Sequence, residues 1–343
     1  MPPCCASTPP GHGSLPREYC GCDRAEFRHH SCNHRSCPQC GRSATDRWVE
    51  RELGRRVDAP YFMVTFTLPA QLRGLFASDH AAGAIDCLFA ISSGALKEKL
   101  AAPRWLGAEH GGFTGVLHTW NQRLGLHPHV HYIVPGCGLD ADGSYVQVRS
   151  GGFLVPLPVL RGRFRELFRE RVEAGGWDVD PAVWDMDWGV DIRPFGDGAN
   201  AIKYLGAYVS RAVIGDGRIV SIQGEEVTYR WKDRANGGVI RTETIPGVEF
   251  VRRYLLHVLP RGVRSVRHYG FCHPAAKARR QRVAFHSGAP LVVGGVPEAQ
   301  VEGPVDVPTC PCCDMPMVRR AQVLPPWSAR PPPLDRTLIV RSR

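Results

Sequence analysis

The chain has 343 residues, 43% of them hydrophobic and 22% charged, enough for one large domain or two ordinary ones and not the composition of a disordered chain. Its formal net charge of +10 favours a polyanionic partner, nucleic acid first, and its 13 cysteines, an odd and clustered set, speak for metal ligation over disulfides. The opening MPPCCASTPPGHG lacks the basic-then-apolar order of a secretory signal and no apolar run could span a bilayer, so a cytoplasmic protein with no membrane partner is expected.

Residues 1–19 are rich in Pro, Gly and Ser and read as a loose leader. Residues 20–57 follow as a small module with a linker helix. Cys and His cluster in its first half with little apolar material, and a unit so small needs a metal to hold it together. Cys37-Pro-Gln-Cys40 is a half-site for tetrahedral thiolate ligation of zinc, and Arg24, Arg28, Arg35 and Arg42 make the module basic. Residues 46–57, DRWVERELGRRV, read as the charged helix leading out of it.

The main domain is placed at residues 58–285. Tyr61–Leu68 is β-branched and aromatic and is stopped by Pro69, the pattern of a buried strand. Residues 80–100 read as a helix, and 115–120 and 129–134 as two strands joined by a turn that contains Gly125. Residues 160–174 form an amphipathic helix with Leu160, Phe164, Leu167, Phe168 and Val172 on one face. A short strand at 188–194, a helix at 199–213, a hairpin system at 216–245 and a helix at 249–258 complete the reading. Strands and helices mixed without regular alternation predict an α+β fold around a central antiparallel sheet with flanking helices. From 286 to 343 the chain is Gly/Pro-rich, and its end, PPWSARPPPLDR, reads as a mobile tail. Cys310-Pro-Cys-Cys313 lies there as a half-site without an obvious second half.

The sharpest chemical signal is Leu126-His127-Pro128-His129-Val130-His131-Tyr132-Ile133-Val134. Side chains alternate along a strand, so His129 and His131 share one face while Val130, Tyr132 and Val134 turn to a core. Two imidazoles side by side on a rigid strand are a natural metal seat. If 115–120 pairs antiparallel with 129–134 about a turn near 124–125, His118 falls opposite His131 and becomes the third ligand. His127 is the alternative.

The second signal is Ala201-Ile202-Lys203-Tyr204-Leu205-Gly206-Ala207-Tyr208-Val209-Ser210-Arg211. Tyr204 and Tyr208 lie one helical turn apart on one face and can present two phenols to one site. A phenol is a weak nucleophile but forms a stable phosphate ester, and a divalent cation can polarise the phosphate under attack. Lys203 and Arg211 are adjacent cations that could hold phosphates or favour phenolate. Further on, Arg252, Arg253, Arg261, Arg264 and Arg267 alternate with Tyr254, His268 and Tyr269, a mixture suited to single strands, whose phosphates meet the cations and whose bases stack on the rings.

Taken together, Gly115-Val-Leu-His-Thr-Trp-Asn-Gln122, His127-Pro-His-Val-His131 and Lys203-Tyr-Leu-Gly-Ala-Tyr208 resemble the insertion sequence 91 family of rolling-circle transposases, within the wider HUH endonucleases. Val64-Thr-Phe-Thr-Leu-Pro69, Trp231-Lys-Asp233, Phe250–Pro260 and Tyr269-Gly270 extend the likeness from about Cys20 to Gly270. The resemblance implies that His129 and His131 hold Mg²⁺ or Mn²⁺ and that Tyr204 and Tyr208 are the nucleophiles. One of them nicks single-stranded DNA at an element end and keeps it as a 5′-phosphotyrosine, and the other performs strand transfer into the target or accepts a second end. It also implies an antiparallel sheet with the histidines on a central strand, and an N-terminal zinc module. In that module the chain departs from the family by having Cys20-Gly-Cys22 where Cys-x2-Cys is usual. The zinc set is then Cys20, Cys22, Cys37 and Cys40, with Cys32 or His34 as alternatives. Arg211, Arg252, Arg253, Arg264 and Arg267 are the expected DNA contacts, in a protein associated with the nucleoid and taking no small-molecule substrate. A plasmid-type replication initiator or relaxase would share the cutting chemistry but prefer an origin to element ends. A zinc-ribbon DNA-binding protein without catalysis would bind without attaching.

Overall fold

The structure, a computed structural model, describes residues 15–19, 25–27, 41–77, 81–209, 213–288 and 318–323. In chain order the elements are β1 (Leu15–Tyr19), β2 (Ala25–Phe27), α1 (Gly41–Gly54), β3 (Tyr61–Thr67), α2 (Ala81–Ala101), β4 (His110–Trp120), β5 (Leu126–Pro135), β6 (Cys137–Leu139), β7 (Tyr145–Gln147), α3 (Leu157–Gly175), β8 (Gly189–Pro194), α4 (Ala199–Val209), β9 (Ile219–Gln223), β10 (Glu226–Asp233), β11 (Val239–Pro246), α5 (Gly247–Leu255), β12 (Val266–Gly270), α6 (Lys277–Ser287) and β13 (Val318–Val323). The chain divides into two compact units, residues 1–40 with 292–343, and residues 41–291. In the first, β13, β1 and β2 form a small antiparallel sheet in that order, so a strand lies within the Gly/Pro-rich C-terminal stretch. The cysteines at 20, 22, 32, 37 and 40, with His34 and the 310–313 cluster, lie outside the described residues.

The larger unit begins at Gly41, so the helix after the cysteine cluster belongs to it. Seven strands form its sheet in the order β7-β6-β4-β5-β3-β8, with β12 joining the other side of β4. Every pairing is antiparallel, as the unalternating mix of elements predicts. Period-two alternation sorts each strand between two apolar layers. Phe62, Val64, Phe66, Val130, Tyr132 and Val134 pack against α2 and α3, whose Leu88, Phe89, Leu160, Phe164 and Phe168 are buried. Each such side chain contributes about 1.5–3 kcal/mol by leaving water. The buried Tyr132 hydroxyl hydrogen-bonds with Ser92 Oγ at 2.7 Å, which in turn donates to the Leu88 carbonyl. On the other side Tyr61, Met63, Val116 and Ile133 pack against Trp48 of α1, Ile202 and Leu205 of α4, and Val283 of α6. A third cluster joins the antiparallel sheet β9–β11 and α5 to the β4–β5 turn through Leu124, Tyr229 and Ile245.

Some elements differ from the sequence reading. β4 begins at His110 and β5 at Leu126, so both strands are longer than expected. β6, β7, β12 and α6 went unread because they are short, Gly-rich or, in α6, dominated by charge. Among the described residues no helix is long and apolar enough to cross a membrane.

Candidate active site

The candidate site lies on the second face of the sheet, the face on which α4 packs. On β5 the alternation that buries Val130 and Tyr132 turns His129 and His131 to this face, where both are half-buried. β4 brings the third imidazole. The structure corrects one detail of the sequence reading: His118 stands opposite His129, and Val116 opposite His131. The turn spans Asn121–Gly125, with Asn121 Oδ1 accepting from the amides of Arg123 and Gly125 and Leu124 at φ 60°. An irregularity between His118 and Trp120 adds to the shift. A displacement of two residues preserves the face, so His118 still meets both partners, with ring centroids 5.0 Å from His129 and 4.4 Å from His131.

Each imidazole offers one nitrogen, and the three nitrogens lie within 4.8 Å of one another. His131 Nδ1 is hydrogen-bonded to Thr65 Oγ1 at 2.8 Å, and His129 Nδ1 donates to the His127 carbonyl at 2.6 Å. These partners orient the rings from behind, the usual way of presenting the remaining nitrogen to a metal. His118 Nε2 is buried with no hydrogen-bond partner among the described residues, an expensive state for a polar atom unless something binds it. Burial first, then repulsion from His131 and His129, holds His118 well below the ordinary imidazole range. Burial above all pushes His129 down to about 4 and His131 down to about 3. All three are therefore neutral near pH 7, the ligating form. The residues fit a divalent cation. His127 is adjacent, its ring centroid 5.0 Å from that of His129, and its own ring stands outside the three-nitrogen group.

The tyrosines arrive on α4. Gly198, at φ +81°, starts this helix where an added methyl would strike the Tyr61 ring at 2.5 Å, and Asp197 Oδ1 caps the Ala199 amide. The Tyr208 ring stacks on His118 at 4.2 Å, and Tyr204 follows at 5.4 Å from Tyr208. Tyr208 is half-buried, whereas Tyr204 is 39% exposed. Burial first, and then a hydrogen bond with Tyr204, pushes the Tyr208 phenol up to about 12, so at rest it is protonated. Lys203 is exposed on the same helix and does not line the cleft. Arg211 lies outside the described residues.

Between the tyrosines, Gly206 lets α4 press on α1: a methyl at this position would overlap Val49 Cγ2. Overpacking of this kind costs about 1–3 kcal/mol, against roughly 1 kcal/mol that alanine gains in helix propensity. Gly206→Ala should therefore lower stability and also displace the tyrosines. Chemical denaturation would show the first effect, and a variant as stable as the parent would contradict the packing described.

A third wall comes from the β10–β11 hairpin, which the sequence reading did not connect with the site. His118, His129, His131, Tyr204 and Tyr208 share a cleft of about 630 Å³ with Thr65, Trp120, Asn121, Arg123, Trp231, Lys232 and Arg234. The hairpin is tied to the β4–β5 turn by Glu243. This carboxylate accepts from Arg123 Nε at 2.8 Å, Arg253 at 3.2 Å and the Tyr229 hydroxyl at 3.1 Å. The same partners, Arg123 foremost, hold its pKa down at about 2. Arg123 also lies over the Trp231 ring, 5.3 Å from its centre.

The predicted DNA-contacting arginines are dispersed. Arg253 is committed to Glu243 and Glu249, and Arg252 pairs with Glu249 at 2.6 Å. Arg267 stands on β12 opposite Gly115, hence on the α2 side of the sheet, where it pairs with Asp86 and covers the Phe89 ring. Arg264 lines a separate groove with Arg261, Arg267 and His273. None of the four lines the histidine cleft. The only carboxylate lining that cleft among the described residues is Asp191, ion-paired with Arg193 at 2.7 Å. The site is thus strongly cationic and suited to a polyanion.

Residues 112–281 match a family model described as "Putative transposase", and residues 5–68 match one described as "Transposase zinc-binding domain". A protein named "Putative transposase y4qJ" from Sinorhizobium fredii (strain NBRC 101917 / NGR234) is 35% identical over 289 residues, covering 78% of this chain and 71% of its own length. The "Transposase for insertion sequence element IS801" of Pseudomonas savastanoi pv. phaseolicola is 26% identical over 271 residues, covering 73% of this chain and 63% of its own length. No solved structure matches.

Proposed function

The chain belongs to the insertion sequence 91 family of transposases, and from that premise we propose that it cuts single-stranded DNA at element ends with Tyr208 and holds the cut end covalently. One observation carries the reading: the Tyr208 ring stacks on His118, within a single cleft that also holds His129 and His131. A nucleophile and a cation seat are thereby side by side, as transfer to a phosphodiester requires.

His118, His129 and His131 would hold the divalent cation, Mg²⁺ or Mn²⁺, which when bound supplies Lewis-acid polarisation of the scissile phosphate. Thr65 and the His127 carbonyl fix the ring orientations before substrate arrives. The cations of the cleft, Arg123, Lys232 and Arg234, draw the strand in, while Trp120 and Trp231 offer faces for unstacked bases. The bond from Tyr208 Oη to phosphorus forms as the bond from phosphorus to the 3′ oxygen breaks. The phenol loses its proton to water, and the departing oxygen takes one up to leave a 3′-hydroxyl. The phosphotyrosine conserves the bond energy, so rejoining needs no nucleotide cofactor. Tyr204, one turn away and more exposed, is placed to accept a second end. Zinc in the 20–40 module would add a second DNA contact, and the cytoplasm is the compartment in which such a protein meets its element.

The test is to incubate the protein with labelled single-stranded oligonucleotides carrying the element end, with Mn²⁺ or Mg²⁺. The expected result is an adduct stable to denaturing electrophoresis and released by protease. Binding without attachment, or cleavage without it, would refute the proposal.

A further inference from the structure

The turn from β10 to β11 places Arg234 in the lining of the cleft. It runs Asp233-Arg234-Ala235-Asn236-Gly237-Gly238 and is built to hold its shape. Asp233 is buried and ion-paired with Arg241 at 2.8 Å, and Asn236 Nδ2 donates to Asp233 Oδ2 at 2.8 Å. The Gly238 amide donates to the Asp233 carbonyl at 2.7 Å, and Gly237 and Gly238 take positive φ of 69° and 78°. The residue projected by this frame, Arg234, lines the cleft with Tyr208 and the three histidines.

The other arginines of the cleft are engaged. Arg123 is held by Glu243 and Arg193 by Asp191, whereas Arg234 makes no ion pair with the described residues. A guanidinium without an ion pair, in the same cleft as an attacking phenol and a cation seat, has its donors available for an anion, and its planar fork matches two phosphate oxygens.

We propose that Arg234 is a catalytic residue, one that grips the non-bridging oxygens of the scissile phosphate and aligns it with Tyr208 as the phosphorus–oxygen bonds exchange. The proposal rests on the strand-cutting reading above. It assigns the β10–β11 hairpin a part in chemistry as well as in enclosing the strand. A donor aimed at charge that develops in the transition state acts mainly on rate, and loss of one such donor typically costs about 10²–10³-fold.

The experiment measures two quantities on the full chain. The first is the single-turnover rate of adduct formation at saturating single-stranded oligonucleotide with Mn²⁺. The second is the dissociation constant for the same oligonucleotide on a Tyr204→Phe, Tyr208→Phe background, where attachment cannot occur. For Arg234→Ala the rate should fall about 10²-fold or more, with affinity changed by less than about tenfold, roughly the share of one phosphate contact at moderate salt. Arg234→Lys keeps the charge without the fork and should fall between Arg234→Ala and the parent in rate. It also serves as a folding control, with the thermal midpoints of both variants compared with the parent. A fall in rate of less than tenfold for Arg234→Ala, or one matched by an equal loss of affinity, overturns the assignment while parental adduct leaves the strand-cutting reading intact. A parent protein that forms no adduct overturns both.

Discussion

Tyr208→Phe should reduce covalent attachment to DNA by about 10³-fold or more, the scale of losing a nucleophile outright, while Tyr204→Phe should leave the first cut within about tenfold and impair the second transfer. The asymmetry follows from where α4 places the two rings. Tyr208 is half-buried and stacked on His118, in the cleft that Arg234 also lines. Tyr204 touches Tyr208 and is exposed, and among the described residues none of its ring contacts is with the imidazoles. Phenylalanine preserves the ring and its packing, so loss of attachment reports loss of the oxygen. Quantifying adducts on a cleavable single strand, and separately strand joining with a second end, distinguishes the roles. Should Tyr204→Phe abolish the first adduct while Tyr208→Phe spares it, the order of attack proposed here is reversed.

The second large effect is expected at the cation seat. His131→Ala removes one of three nitrogen donors at the centre of the group and should abolish measurable Mn²⁺ binding by titration calorimetry. Attachment should fall by about 10³-fold, since Lewis-acid assistance is worth several kcal/mol. Thr65→Val leaves the donors intact but removes the hydroxyl that orients His131, and should weaken the cation by about 10–100-fold. The graded pair matters because His131→Ala alone could act by disturbing the sheet. If His131→Ala binds Mn²⁺ as tightly as the parent, the three-histidine seat is not where the cation sits.

The histidine strand was legible in the sequence because a two-residue period is a strong constraint: once Val130 and Tyr132 are buried, His129 and His131 must share the other face. His118 was reachable by folding the chain back at its turn, but its partner was misplaced by two residues. Nothing in the sequence shows that Asn121 closes a turn ending at Gly125 or that β4 is irregular beyond His118. The pairing of Tyr204 with Tyr208 needed only helical spacing. Arg234 was invisible, since its role depends on a hairpin more than one hundred residues downstream of His118 being fastened to the β4–β5 turn by Glu243 and Leu124. The arginines of the basic segment illustrate the opposite limit. Their clustering in sequence suggested one surface, but strand and helix geometry sends Arg267 to the α2 side and leaves Arg252 and Arg253 in ion pairs with Glu249.

The donor set of the seat also bears on which element would occupy it. Three neutral imidazoles with no carboxylate among them are borderline donors, and affinity for such a site rises along the first-row series from manganese through cobalt and nickel to copper, with zinc close behind. Magnesium, a hard ion that prefers oxygen and sheds its water reluctantly, ranks below all of these. Occupancy in the cell would then be governed by supply: an abundant weak binder competes with scarce strong ones. Protein purified over a nickel resin, or from zinc-replete medium, would carry the tighter ion unless stripped with a chelator, and its apparent preference among added salts would reflect that history.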